Sequence, residues 1–346
     1  MTAPKDPGPT AGVELEPLRA WFAVHVPDFA PASAIQIPGG HSNITVHLSS
    51  ADGRGLVLRR PPLHTVLATA HDMGREYRLI SAFGPTPLPV PAAVAYCPDD
   101  DVIGAPFFVM EHVPGLVLHD QEAARRIPED RRRHAVLSFI DALAELHRAD
   151  IDEIGLSDLA RREGYIARQL KRWHAQYRQS HVGENDSVDR AHDLLAARIP
   201  EQRWTTVVHG DFRMGNCILS PQGEVRAVLD WEISTLGDPL ADVGYVLATW
   251  PETEEEAVAF PETPSLVEGF PGRSVLLDRY AERSGRDLSA IGFYLAFSYF
   301  RAACITQGVY ARALGGAQGS RDDHVERWGR QAQACARLAA AHAGGD

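Results

Sequence analysis

The chain has 346 residues, 45% of them hydrophobic and 23% charged, which is enough to build two lobes or two domains around buried cores. A formal net charge of −12 argues against a general nucleic-acid binder, which needs a basic stripe against phosphates, so any anionic ligand requires a local basic pocket. Met1 to Gly12 carries Lys5 but no apolar core, and no later run is long enough to cross a bilayer, so neither a signal peptide nor a membrane partner is expected and the expected location is cytoplasmic.

Residues 1–12 read as a disordered leader, followed by an amphipathic helix over Leu15–Val26. The period then shortens to that of strands. Ala34–Pro38, Ile44–Ser49 and Leu56–Arg60 are predicted strands, separated by Gly39-Gly40-His41-Ser42-Asn43 and by the hairpin signal Asp52-Gly53. Val66–Phe83 has helical spacing and includes Glu76, and the Pro-rich stretch to Pro91 ends it. Two further strands follow, the second at Pro106–Glu111, before Val113-Pro114-Gly115.

Beyond Pro128 helices dominate, predicted over Pro128–Ala149, Arg161–Gln179, Val188–Arg198, Leu276–Ser284, Leu288–Leu314 and Asp322–Ala341. Thr206–Asp230 is the exception. There Cys217-Ile218-Leu219 and Val225–Leu229 flank Ser220–Glu224 as a hairpin. Glu252–Glu256 reads as a solvated acidic loop. Cys97, Cys217, Cys304 and Cys335 form no CxxC pair and are expected reduced and structural, and no HExxH set suggests zinc.

The chemistry is concentrated in His209-Gly210-Asp211-Phe212-Arg213-Met214-Gly215-Asn216 and in Leu229-Asp230-Trp231-Glu232. Phosphoryl transfer needs a carboxylate near the acceptor hydroxyl and oxygen ligands for Mg²⁺. The spacing from Asp211 to Asn216 lets one loop present a carboxylate and an amide, and the hairpin returns Asp230 toward them.

These segments resemble the kinase-like aminoglycoside phosphotransferase superfamily, with its HGDxxxxN catalytic loop and a later metal motif that begins with Asp. The resemblance implies an α+β, bilobal protein-kinase-like fold: a small five-stranded antiparallel lobe over 13–113 that binds nucleotide, and a larger mainly helical catalytic and acceptor-binding lobe over 114–346, with nucleotide in the cleft. It implies Asp211 as catalytic base or acceptor-orienting carboxylate, Asn216 and Asp230 as Mg²⁺ ligands, His209 as loop support, and Arg213 as a cation against the transferring phosphate. ATP or GTP is the implied co-substrate.

In the small lobe, Gly39, Gly40, Ser42 and Asn43 form a turn whose backbone N–H groups can approach phosphates. Arg59 stands where a protein kinase carries its phosphate-binding Lys, with Glu76 as its partner. Strand alternation lets only one of Arg59 and Arg60 face inward. At the hinge, the Glu111 carbonyl and the Val113 N–H are candidates for a purine edge. In Gly237–Asp242, Asp238 and Asp242 read as structural, with Asp242 holding the catalytic loop from a helix start.

Three further stretches, Val57–Pro62 with Ala70–Asp72 and Arg75–Tyr77, Gly164–Trp173, and Phe293-Tyr294 through Gln307–Tyr310, resemble the phosphotransferase branch fused to or encoded beside acyl-CoA dehydrogenases. That branch implies a hydroxylated acyl-CoA or related acid as acceptor and a functional link to an acyl-CoA dehydrogenase. Arg162, Arg168, Lys171, Arg172 and Arg178, interleaved with Tyr165, Trp173 and Tyr177, would supply the basic and aromatic site, against the alternative of a solvated helix face. Competing expectations are an antibiotic or amino-sugar kinase with an acidic acceptor pocket, and a catalytically silent nucleotide-binding scaffold.

Overall fold

Alternating apolar residues in the early strands need a cover on each face, and the chain supplies one helix for each. A computed structural model describes residues 12–38, 43–62, 72–180, 186–314 and 322–345. Gly39, Gly40 and Ser42 lie outside the described residues. The chain divides into two compact units, Met1–Pro114 with Ala227–Glu232, and Gly115–Arg226 with Ile233–Asp346.

The first unit begins with helix α1 (Leu15–His25), which buries Leu18, Trp21 and Phe22. Strands β1 (Pro31–Gln36), β2 (Ile44–Ser50) and β3 (Gly55–Arg60) precede helix α2 (Met73–Phe83), and strands β4 (Ala93–Cys97) and β5 (Phe107–Glu111) follow it. The five strands form one antiparallel sheet in the order β1-β2-β3-β5-β4. Val46, Leu48, Leu58, Phe107 and Val109 pack with Trp21 and Phe22 in one core. Burying each such side chain contributes about 1.5–3 kcal/mol.

The period of two then decides which arginine faces where. Arg60 shares the face of Leu58, where its Nη1 donates to the Ile103 carbonyl at 2.8 Å and to the Gly12 carbonyl. Arg59 points to the opposite face and meets Glu76 of α2. Asp72 caps α2 by accepting from the Arg75 N–H at 2.9 Å. The helix predicted from Val66 therefore starts, among the described residues, at Met73.

The second unit opens with strand β6 (Leu116–Val117) and helices α3 (Gln121–Arg125), α4 (Glu129–Arg148), α5 (Tyr165–Ser180) and α6 (Asp186–Ala196). Short strands β7 (Thr206–Val208), β8 (Cys217–Leu219), β9 (Val225–Val228) and β10 (Thr235–Gly237) follow, the last two residues of β9 being grouped with the first unit. The predicted hairpin is present as β8 and β9, with the Ser220 N–H donating to the Glu224 carbonyl at 2.8 Å. Helices α7 (Leu240–Ala248), α8 (Glu254–Ala259), α9 (Arg273–Ser284), α10 (Ile291–Leu314) and α11 (Asp322–Gly344) complete the chain. Helix α10 packs against α11, α7 and α5, while α9 packs on α4. All four cysteines are free and buried.

Two expectations change. Glu252–Glu256 is not a solvated loop: Thr253 and Glu256 form a capping box at the start of α8. Glu256 is buried, pairs with Arg273 at 2.7 Å and accepts from the Tyr299 hydroxyl at 2.8 Å. For the basic helix it is the alternative of a solvated face that agrees with the structure, because Tyr165 and Tyr177 are buried and offer no face to a ligand while Lys171 and Arg172 are exposed. Arg162 and Arg178 are engaged by Asp152 and Asp189. Helices α3 and α8 were not foreseen, since five or six residues carry little periodic signal.

Candidate active site

The loop from His209 to Asn216 is held from beneath by a buried polar relay. β7 ends at Val208, after which Gly210 adopts a φ of 84°, a left-handed turn that glycine makes without a Cβ penalty. That turn aims two successive N–H groups at one carboxylate. His209 N–H donates to Asp242 Oδ2 at 2.7 Å and Gly210 N–H to Oδ1 at 2.8 Å. Asp242 lies in the first turn of α7, as expected from its place at a helix start. A third hydrogen bond comes from His147 of α4, whose Nε2 donates to Oδ2 at 3.2 Å while its Nδ1 accepts from Tyr280 at 2.8 Å.

Burial alone would raise the Asp242 carboxyl, but the hydrogen bond from His147, with His209 and the Gly210 N–H, holds it below the ordinary range. Burial pushes His147 down in spite of Asp242, so the imidazole is neutral in the fold. His209 is buried and its Nδ1 accepts from the Asp211 N–H at 3.3 Å, which ties the loop to itself.

Asp211 is thereby presented with both carboxylate oxygens engaged. Oδ2 accepts from Asn216 Nδ2 at 2.8 Å and from Arg213 Nε at 3.4 Å. Oδ1 accepts from the Tyr245 hydroxyl at 2.5 Å. Asn216, in the 3₁₀ turn Met214–Asn216, also donates Nδ2 to the Asp211 carbonyl at 2.8 Å. With its amide hydrogens committed to Asp211, Asn216 has its side-chain oxygen left for a cation. Arg213 and Asn216 therefore meet at the same carboxylate. Sequence reasoning missed Tyr245; the available signal was its spacing of three from Asp242, which puts both on one face of α7.

In the first unit a second cluster forms around Arg59. Nη1 pairs with Glu76 at 2.8 Å and Nη2 with Asp230 at 3.0 Å. Burial opposes the Arg59 charge, but Glu76, then Asp230 and Glu232, hold its pKa above the usual value. Glu76 is fully buried, and that burial pushes its carboxyl up to about 7, against the pull of Arg59. Asp230 has a φ of 66°, the one non-glycine positive value among the described residues, a conformation Asp tolerates better than most side chains. Asn43 is buried and donates Nδ2 to Glu232 at 3.1 Å, so this turn residue steadies the segment that carries Asp230. Glu111, exposed at the end of β5, has its N–H bonded to the Ala92 carbonyl, and Val113 is half-buried just beyond it.

A carboxylate at Asp230 and an amide oxygen at Asn216 are hard donors of the kind Mg²⁺ takes. Beside the Asp211 loop, a cavity of about 310 Å³ is lined by Arg213, Tyr245, Trp250, Phe260, Arg327 and Trp328. Its walls include the aromatic rings of Phe139, Tyr245, Trp250, Phe260 and Trp328, and its charges include two guanidinium groups and the Glu262 carboxylate. The amino-sugar expectation needed an acidic pocket, and Glu262 at this cavity is already paired with Arg327 at 2.9 Å.

Residues 33–273, more than half of the chain, match the phosphotransferase enzyme family. Acyl-CoA dehydrogenase family member 10 of Mus musculus is 37% identical over 83% of the chain, which spans only 27% of that relative's length. A Ralstonia eutropha crystal structure, described as that of a candidate aminoglycoside phosphotransferase, is 33% identical with a TM-score of 0.82, covering 96% of this chain and 98% of that one. The GDP complex of aminoglycoside 2'-phosphotransferase-IIIa shares the fold at 14% identity, with a TM-score of 0.64 over 94% of this chain and 99% of that one. The chain belongs to the phosphotransferase enzyme family, in the branch related to acyl-CoA dehydrogenase family member 10.

Proposed function

We propose that the chain is a Mg²⁺-dependent small-molecule kinase that transfers the γ-phosphoryl of ATP or GTP to the hydroxyl of a hydroxyacyl-CoA or related hydroxy acid. The observation that carries this reading is the Asp211 carboxylate, partly exposed and fixed by Asn216, Arg213 and Tyr245 on a loop braced through Asp242 and His147. Asp211 accepts a hydrogen bond from the acceptor hydroxyl and orients it for in-line attack. Arg213 places positive charge beside the reacting phosphate, and Arg59 keeps Asp230 in one orientation. Mg²⁺, held by Asn216 and Asp230, would neutralise charge on the phosphate oxygens. Gly39, Gly40, Ser42 and Asn43 are assigned to the nucleotide phosphates, and the backbones of Glu111 and Val113 to its base.

The acceptor assignment is supported by the relationship to an acyl-CoA dehydrogenase family member and by the aromatic cavity with Arg213 and Arg327. Those guanidinium groups suit an anionic acceptor with an apolar body and disfavour a polycation. The test offers γ-labelled Mg-ATP and Mg-GTP with hydroxyacyl-CoAs, free hydroxy acids, amino sugars and macrolides. Labelling confined to the anionic acceptors is expected. Labelling of amino sugars alone would contradict the acceptor assignment, and labelling of nothing in the panel would contradict the kinase reading.

A further inference from the structure

Each oxygen of a carboxylate has two lone pairs, so the four sites of Asp211 can be counted. Oδ2 uses both, on Asn216 Nδ2 and Arg213 Nε. Oδ1 uses one, on the Tyr245 hydroxyl at 2.5 Å. The vacant lone pair is on Oδ1, and the Asp211 side chain is 25% exposed, so a small hydroxyl can reach it.

Tyr245 is itself held in place. The guanidinium of Arg301 lies over its ring, 5.2 Å from the centroid, and the same guanidinium lies 5.5 Å from the centroid of Trp173. Burial and the nearby Asp211 charge push the Tyr245 phenol far above its ordinary range, so it remains a hydrogen-bond donor throughout the working range of an enzyme. The Tyr245 hydroxyl gives up this short hydrogen bond to a charged group if the carboxylate rotates, which penalises rotation.

We infer that Tyr245 is a positioning residue for the transfer, locking the Asp211 carboxylate so that the second lone pair of Oδ1 receives the acceptor hydroxyl. The inference rests on the role proposed for Asp211. It assigns separate tasks to the two oxygens: Oδ2 holds the loop through Asn216 and Arg213, and Oδ1 meets the acceptor. It also makes α7 a shared support, with Asp242 bracing the loop backbone and Tyr245 its carboxylate.

The test compares wild type, Tyr245→Phe, Asp211→Asn and the double variant, using Mg-ATP and whichever acceptor of the panel wild type labels fastest. Tyr245→Phe removes one oxygen and should lower kcat by about 10- to 100-fold, the range for a lost hydrogen bond to a charged group. The acceptor KM and the Kd for Mg-ATP should stay within about twofold, a split that general loosening of the fold would not give. Added to Asp211→Asn, the Tyr245→Phe change should alter the residual rate by less than about twofold, because the carboxylate that Tyr245 orients has become a neutral amide. Wild-type kcat in Tyr245→Phe, beside an inactive Asp211→Asn, would overturn the inference and leave the kinase reading intact; so would losses that multiply in the double variant. Undiminished turnover in Asp211→Asn, or no labelling by wild type, would overturn both.

Discussion

At the residue scale the site depends on charges that are buried and paired. Arg59 bridges Glu76 and Asp230, and removing it leaves the buried Glu76 carboxylate without its cation. Arg59→Met should destabilise the protein by about 3–5 kcal/mol, the range for breaking one side of a buried pair, whereas Glu76→Gln, which keeps the shape, should cost less. Urea unfolding of the two variants checks the order, and equal stability of Arg59→Met and wild type would refute it. Asp211, Arg213 and Asn216 were legible in sequence because they share one loop and their spacing is local. Tyr245 was not, because it meets Asp211 across 34 residues of chain. Glu256 was misread for the same reason: its partner Arg273 is 17 residues away, and only the fold turns an acidic cluster into a buried ion pair.

At the element scale the loop from His209 to Asn216 takes its shape from α4 and α7. His147 is buried neutral and its pKa is depressed, so the stability tied to its burial is present above the unfolded value of about 6.5 and is lost as pH falls through the folded one. Asp242 is depressed too, and its contribution is likewise lost on acidification. The stability difference between wild type and His147→Gln should therefore shift in favour of the variant as pH falls below about 6.5. Urea midpoints measured at several pH values report it, and a difference that does not change with pH would contradict the arrangement.

The packing of α7 on α10 is equally demanding. A Cβ on Gly244 would lie 2.5 Å from the Tyr294 backbone, which cannot move as a flexible side chain can. Gly244→Ala should cost about 1–3 kcal/mol and, by shifting α7, should lower kcat as well. A thermal scan with a parallel turnover assay tests both parts. The long helices α4, α5 and α10 were legible from periodicity to within a few residues at each end, because their apolar faces run for several turns. Short α3 and α8 depend on Asp120 and Thr253 as caps more than on periodicity.

At the scale of the whole molecule, the five-stranded sheet and the helical second unit agree with the fold that the family resemblance implied. The acceptor was less legible, because a cavity wall drawn from the Arg213 loop, α7 and α11 has no sequence-local signature. In a chain of net charge −12, the cavity carries Arg213 and Arg327, which face the carboxylates of Asp211 and Glu262. Arg327→Glu should raise KM for anionic acceptors by about tenfold or more while leaving Mg-nucleotide affinity unchanged. An unchanged KM would remove Arg327 from acceptor recognition.

The central claim is that Asp211 orients a hydroxyl for phosphoryl transfer, and single-turnover transfer of γ-labelled phosphate by wild type and Asp211→Asn tests it most directly. Transfer that falls by about 10²- to 10⁴-fold in the variant, with Mg-nucleotide binding retained and wild-type transfer abolished by EDTA, is the predicted result. Transfer at the wild-type rate in Asp211→Asn would contradict the account.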